Sequence, residues 1–329
     1  MKRKHVTLKD VAEKSGVSIT TVSHVLNKTR YVKKDTREYV LQVIEELNYE
    51  MYRPKSSMRK IQYIAIVIAD ITEDYSISII KAIETYANDN GISILVYDSE
   101  DDPDKERKNI RTVLAKQVGG LILSPVNSEQ CPKEIKSASI PIVLIDRQYT
   151  SHNKLFIGIN NFESGYKATR YLIDKGCRKI GFIGYTETVY TIRQRSMGYR
   201  SCLMELEPEG SQHVLHLNYK REDSNKLIRD FIEGTGVDGV ICATSDICYY
   251  LIGSLQELHR KIPEDVKIIT YDDNKWLDYL KYPISVITQP TGEIGIHAVE
   301  TIIEMVQHPE NQKHIHSEML FDIGFIDRL

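Results

Sequence analysis

Apolar residues fall at helical spacing in three short stretches of the first fifty residues. From about residue 61 they gather instead into short unbroken runs separated by longer amphipathic segments. The two habits predict two kinds of element: a 3.6-residue period marks a half-buried helix, and a short solid run bounded by turn residues marks a strand covered on both faces. In the first region Thr7-Leu8-Lys9-Asp10 has the form of a capping box, Thr7 and Asp10 satisfying free amides at a helix start. Leu8, Val11, Ala12 and Ser15 then share a face, Gly16 supplies a sharp turn, and Ser18 is placed to cap a second helix. On that second helix Val22, Val25 and Leu26 point inward, while Ile19, Thr20, Ser23 and His24 lie together outward. A third helix starting near Asp35-Thr36 buries Val40, Val43, Ile44 and Leu47. Helix, tight turn and helix is the spacing that lays a second helix in the major groove, although a three-helix protein-binding module shares the periodicity.

The second region alternates buried strands with helices: a strand over 61–69, a helix over 77–90, a strand over 92–97, a helix over 104–117 and a strand over 120–123. Further strands fall at 140–145, 179–183, 237–242 and 266–270. Alternation of this kind builds parallel sheets with helices on both sides, so the class is α/β. About 270 residues is long for one doubly wound sheet, and two similar lobes around a ligand cleft use that length better. In such sheets ligands bind beyond the carboxyl ends of the strands, which makes the residues there the ones to examine.

Composition narrows the reading. Of 329 residues 41% are hydrophobic and 27% charged, and no apolar run is long enough to cross a bilayer. The basic first ten residues lack a following apolar stretch, so the chain is expected to stay in the cytoplasm. Residues 1–60 carry 14 Lys and Arg against 7 Asp and Glu, a formal +7, while the rest carry 29 against 39, a formal −10. A basic head on an acidic body points to a polyanionic partner for the head alone. The five cysteines, at 131, 177, 202, 242 and 248, form no C-x-x-C pair and are expected to be reduced and mostly buried.

A search for enzyme constellations finds no phosphate loop, no G-x-S-x-G elbow and no H-E-x-x-H. Gly181-Phe182-Ile183-Gly184 reads as a buried strand rather than a dinucleotide fingerprint, and His314-Ile315-His316 reads as surface decoration. No cofactor, metal site or catalytic residue is expected.

The run from Thr7 to Val32, T-L-K-D-V-A-E-K-S-G-V-S-I-T-T-V-S-H-V-L-N-K-T-R-Y-V, closely resembles the head of the lactose-repressor/galactose-repressor family, and most of all its purine-repressor branch. Likeness extends more weakly through Gly165-Tyr166, Tyr171-Leu172, Lys175-Gly176, Arg195, Gly198-Tyr199, Thr270-Tyr271-Asp272 and Gln289-Pro290. The resemblance implies that Ile19, Thr20 and His24 read base edges with Arg30 adding a contact, while Thr7, Ser18, Thr21, Ser23 and Asn27 hold phosphates or helix ends. It also implies a hinge after Asn48-Tyr49 in which an apolar side chain wedges into the minor groove, a place taken here by Met58. Lys55-Ser56 replaces the family's Ala-Arg pair and Pro54 precludes an early helix start, so a flexible basic linker stays open as the alternative.

For the body the resemblance implies a periplasmic-binding-protein fold in two lobes, residues 61–160 with 290–320 and residues 161–289 with 321–329, preceded by a head at 1–49 and a linker at 50–60. By family register the effector contacts are Asp70 to Tyr75, Asn160, Thr191 to Arg195, Tyr219, Ser245-Asp246 and Asp272. In that role Asp272 would accept paired hydroxyls of a sugar or ribose, Arg195 would donate to oxygen, and Tyr75 and Tyr219 would stack on a ring, the alternative for each being a surface ion pair or a core aromatic. The chain departs from the family at Asn160, where an Asp is frequent, at Ser245, where an Asn is common, and at Val189, where the purine branch carries a ligand-contacting Arg. A purine effector is therefore disfavoured, and sugar, nucleoside and other metabolites stay open. The expected protein is a homodimeric, operator-binding transcription regulator. The alternatives are a solute-binding protein without regulatory DNA binding and, behind it, a sugar-modifying enzyme.

Overall fold

A computed structural model describes residues 8–19, 21, 22, 25, 32–47, 61–151, 155–206, 211–218, 223–309 and 317–329. The chain divides into two compact units, Met1–Arg59 and Lys60–Leu329.

The first unit contains helices α1 (Leu8–Ser15) and α2 (Lys34–Glu46), and Gly16 at φ +67°, a left-handed conformation that a side chain disfavours, ends α1 and turns the chain toward the helical residues from Ile19 on. Ile19, Thr21, Val22 and Val25 are helical, and Val11, Val22, Val25, Val40 and Val43 form a miniature core, with Ile44 and Leu47 packed against it. Each buried valine contributes about 1.5–3 kcal/mol, which is how so short a segment holds together. Of the predicted inward positions Val11, Ala12, Ser15, Val22, Val25, Val40 and Val43 are buried and Ile44 and Leu47 half-buried, while Leu26 and the side chain of Leu8 lie outside what is described.

The second unit is built on two six-stranded sheets. The first contains β1 (Tyr63–Ile68), β2 (Ser93–Asp98), β3 (Gly120–Leu123), β4 (Ile142–Ile145) and β5 (Leu155–Ile159), with β11 (Glu318–Phe321) at its edge. Its order is β11-β5-β4-β3-β1-β2, parallel throughout. The second sheet holds β6 (Ile180–Gly184), β7 (His213–His216), β8 (Gly239–Cys242), β9 (Lys267–Tyr271), β10 (Ser285–Thr288) and β12 (Gly324–Ile326). It runs β12-β10-β9-β8-β6-β7, and β12 alone is antiparallel. Central strands β3, β4, β6 and β8 are buried at every residue, the reason their sequences read as solid apolar runs rather than alternations.

Helices connect β1 through β4 in the first half, namely α3 (Asp74–Asp89), α4 (Pro103–Leu114) and the short α5 (Lys133–Lys136), whereas no helix lies between β4 and β5. The second half has α6 (Asn161–Asp174), α7 (Tyr190–Leu206), α8 (Ser224–Thr235) and α9 (Ser245–Glu257), followed by a 3₁₀ turn over Lys275–Tyr279. Helix α10 (Thr291–Gln307) returns to the first sheet, where Gly295 lets it approach the backbone of α3. In each sheet the strand order reverses beside the first strand of its half, between β1 and β3 and between β6 and β8. Doubly wound sheets open a crevice at such reversals. All five cysteines are free and buried. Among the described residues no helix is long and apolar enough to cross a membrane.

Candidate effector cleft and DNA-reading helix

The strand ends of both sheets meet at one cavity of about 280 Å³. From the first sheet come Asp70 beyond β1 and Asp146-Arg147 beyond β4. From the second come Tyr185 beyond β6, Thr244 to Asp246 beyond β8, Asp272 directly after β9 and Gln289 after β10. Helix α3 adds Tyr75, and α7 adds Thr191 and Arg195.

Asp272 and Asp146 occupy equivalent places in the two halves and share a conformation, φ +64° and +59°. Aspartate tolerates the left-handed region better than most residues, and the turn it makes lifts each carboxyl off the strand end. Asp272 accepts from Gln289 Nε2 at 2.9 Å. Burial is the largest influence on its carboxyl and pushes it up to about 6, against the opposing pull of Arg195 and Gln289. The Asp146 carboxyl is likewise raised by burial, with Arg147 and Arg195 pulling the other way.

Arg195 is 3% exposed. Its Nε donates to Asn161 Oδ1 at 2.8 Å, Nη1 donates to the Ala243 carbonyl at 2.7 Å, and its guanidinium lies 3.7 Å from the centre of the Tyr271 ring. The cation is thereby held rigidly at the cleft wall. Asp246 accepts from the hydroxyls of Tyr185 and Thr244. Asp70 Oδ1 accepts from Thr72 N at 2.8 Å and Thr72 Oγ1 at 2.6 Å, pinning the turn into α3. Tyr75 is 8% exposed and its hydroxyl has no hydrogen-bond partner in the structure. A buried, unsatisfied donor facing a cavity is expensive unless something arrives to meet it.

Seven of the nine effector positions expected from the sequence are therefore brought together: Asp70, Tyr75, Thr191, Arg195, Ser245, Asp246 and Asp272. Asn160 lies apart. Its side chain accepts from Glu163 N at 3.0 Å as the cap of α6, and it lines a smaller depression of about 130 Å³ with Leu320 to Ile323. Tyr219 lies outside the described residues. Asp146 and Arg147 were overlooked although they follow a predicted strand, so the strand-end rule applied evenly would have found them. Tyr249, Tyr250 and Trp276 also line the cavity, and no spacing in the sequence signals them.

In the first unit Ser18 Oγ lies 2.9 Å from Thr21 Oγ1 and accepts from Thr21 N at 3.1 Å, the cap expected at the start of the second helix. Ile19 beside it is 50% exposed, an apolar side chain left in water on the outward face. Of the other positions expected to touch DNA, Thr7, Thr20, Ser23, His24, Asn27, Arg30 and Met58 lie outside the described residues.

Comparison with known proteins matches residues 7–51 to the bacterial regulatory proteins of the lacI family and residues 64–310 to the periplasmic binding protein domain. The ribose operon repressor of Haemophilus influenzae is 30% identical over 308 residues, 92% of each chain. The HTH-type transcriptional repressor PurR of Mannheimia succiniciproducens is 29% identical over 323 residues, covering 95% of this chain and 97% of that one. Among solved structures, the transcriptional regulator CelR–cellobiose complex superposes with a TM-score of 0.72 at 21% identity, over 98% of this chain and 99% of the other. The lac repressor dimer bound to operator and the anti-inducer ONPF gives 0.70 at 20% identity, over 99% and 98%. At such identities the structural likeness speaks for the fold.

Proposed function

The chain belongs to the lacI family of bacterial regulatory proteins, and from that premise we propose that it is a cytoplasmic repressor whose grip on a near-palindromic operator is set by a small molecule held between the two sheets of its body. The observation that carries this reading is the convergence of strand ends from both sheets on one cavity holding Asp272, Arg195 and an unsatisfied Tyr75 hydroxyl. A ligand there touches both halves at once, so its affinity differs between arrangements of the lobes, and only such a difference shifts a conformational equilibrium.

The proposed division is a head at 1–49, a linker at 50–60 and a two-lobed body, lobe one comprising 61–160 and 290–320 and lobe two 161–289 and 321–329. Two chains pair through their bodies so that two heads meet two half-sites, as two-fold symmetry requires. Ile19, Thr20 and His24 read bases, Arg30 adds a contact, and Thr7, Ser18, Thr21, Ser23 and Asn27 hold the backbone. Met58 enters the minor groove as an apolar wedge. Sugars and nucleosides both present the paired hydroxyls that Asp272 accepts. A solute-binding role without DNA is disfavoured by the lacI-family head and its basic charge.

Selection of bound sequences from random DNA with the full chain tests the reading directly: a two-fold symmetric motif is expected, and weak sequence-blind binding that vanishes at moderate salt sinks it. On that motif Thr20→Ala relaxes base preference by about 1–3 kcal/mol at one position in each half-site.

A further inference from the structure

The cleft has two unlike regions, and what they select rests on the effector reading above. At the floor Asp146 and Asp272 project from the two sheets near the orphaned Tyr75 hydroxyl. At the mouth Tyr249 is 64% exposed and Tyr250 37% exposed, beside Trp276, which packs partly on the second sheet's core. The Tyr249 ring stands 5.9 Å from Trp276 at 86° and 6.1 Å from Tyr250 at 73°, a corner of mutually braced rings. Large aromatic surface left in water on a cavity wall is costly unless a ligand with a flat apolar face covers it.

Charge at the cleft disfavours anions. Among the described lining residues, Asp70, Glu73, Asp74, Asp146, Asp246 and Asp272 outnumber two guanidiniums. Both cations are committed to the protein, Arg195 as described and Arg147 by Asp101 at 3.0 Å and Asp146 at 3.4 Å. Two of the three helix starts at the cleft are occupied by the chain's own carboxylates, Asp74 in the first turn of α3 and Asp246 in that of α9, while that of α7 carries none. A phosphoryl group entering here meets like charge.

We infer that the effector is an uncharged glycoside of two rings, its hydroxyl-rich ring held by Tyr75, Asp146 and Asp272 and its second ring, sugar or aryl, packed on Tyr249 and Trp276. The floor then supplies acceptors for ring hydroxyls, and the mouth supplies a platform for the apolar face of the second unit.

Trp276 is the chain's only tryptophan, so its emission reports occupancy of the mouth specifically. The full-length protein is titrated, by Trp276 fluorescence and by calorimetry, with cellobiose, maltose and lactose, with phenyl glucoside as the aryl arm, with glucose and galactose, and with the 6-phosphates of the same sugars. At least one neutral two-ring ligand is expected to bind tenfold or more tightly than its one-ring counterpart and its own 6-phosphate, and to change the Trp276 emission. Tyr249→Ala is expected to erase the preference for two rings over one, and Tyr249→Phe to keep it. Equal or tighter binding of the phosphates overturns the inference, as does failure of every neutral two-ring ligand or a preference that survives Tyr249→Ala. Each titration is repeated with operator DNA. A phosphate that binds and shifts operator affinity defeats this inference and leaves the regulatory reading intact, whereas a neutral glycoside that binds without any such shift does the reverse.

Discussion

Asp272 shows how one side chain carries both a backbone demand and a chemical one. It must turn left-handed at the end of β9 and still present a carboxyl to the cleft, and few residues other than aspartate meet both demands. Asp272→Ala is expected to abolish the response of operator binding to effector while the effector-free protein binds DNA as before; electrophoretic mobility shifts with and without effector decide it. A second carboxyl, outside the cleft, governs stability. Glu106 is 3% exposed, accepts from Val126 N at 2.6 Å, and is pushed up to about 7, mainly by burial. Since the folded value lies above the unfolded one, its contribution to stability is whole below about pH 4.5 and is lost as pH rises through 7. Glu106→Gln keeps an acceptor for Val126 and removes the buried charge. It is expected to stabilise the protein by about 1–3 kcal/mol at pH 8, at 1.36 kcal/mol per unit of displacement, and by little or nothing at pH 4.5, read by denaturant unfolding at both pH values. Asp272 was legible in the sequence as a strand-end carboxylate, whereas Glu106 was not, because an acid inside an amphipathic helix looks the same whether water or protein surrounds it.

Among the elements, the crossing of α6 and α7 decides where Arg195 stands. A Cβ added at Gly165 would lie 2.1 Å from the Arg195 carbonyl oxygen, and one at Gly198 would lie 2.0 Å from that of Phe162. The helices thus touch backbone to backbone at two reciprocal points, which no residue but glycine permits. Both glycines belong to the stretches that resemble the regulator family, but in the sequence alone each reads only as a weak spot in a helix. Gly165→Ala must force the helices apart. It is expected to cost about 1–3 kcal/mol or more in thermal stability and, in protein that still folds, to weaken effector binding by displacing Arg195 from Asn161 and Ala243. A variant with native stability and native affinity would show that the crossing does not position the arginine.

At the scale of the whole body, the two halves already touch through Tyr190. Its N–H donates to Ser128 Oγ at 3.0 Å, its hydroxyl accepts from Gln148 Nε2 at 2.7 Å, and its ring meets Phe156 edge-on at 6.0 Å. These contacts join the start of α7 to the first sheet's side of the cleft, so under the proposed mechanism they are the ones that form or break when effector binds. Effector and operator are then coupled through one equilibrium, and coupling in binding free energy is reciprocal. Whatever factor the effector applies to operator affinity, operator DNA is expected to apply to effector affinity, in the same direction. Tyr190→Ala is expected to shrink both factors together, and calorimetry of each ligand in the presence and absence of the other measures them; unequal factors would exclude a single shared equilibrium.

By itself the sequence determined the class of every segment it marked strongly: three helices around a valine core, then solid apolar runs that could only be central strands of parallel sheets. It also determined where to look for chemistry, because strand ends follow from strands, and seven of nine expected effector positions do line one cavity. Local periodicity suffices for such features, since each depends on a few consecutive residues. Two interior strands, β5 and β10, also escaped it, each only four or five residues long; the edge strands β7, β11 and β12 escaped because they are short and partly exposed, and their pairing comes from distant segments. Only the tertiary structure decided that Asn160 stands away from the cleft, that Glu106 is dry, and that Tyr249, Tyr250 and Trp276 form a corner at the cleft mouth. Each of those depends on which remote surface a side chain meets, and that is settled when the sheets pack, not by the residues on either side.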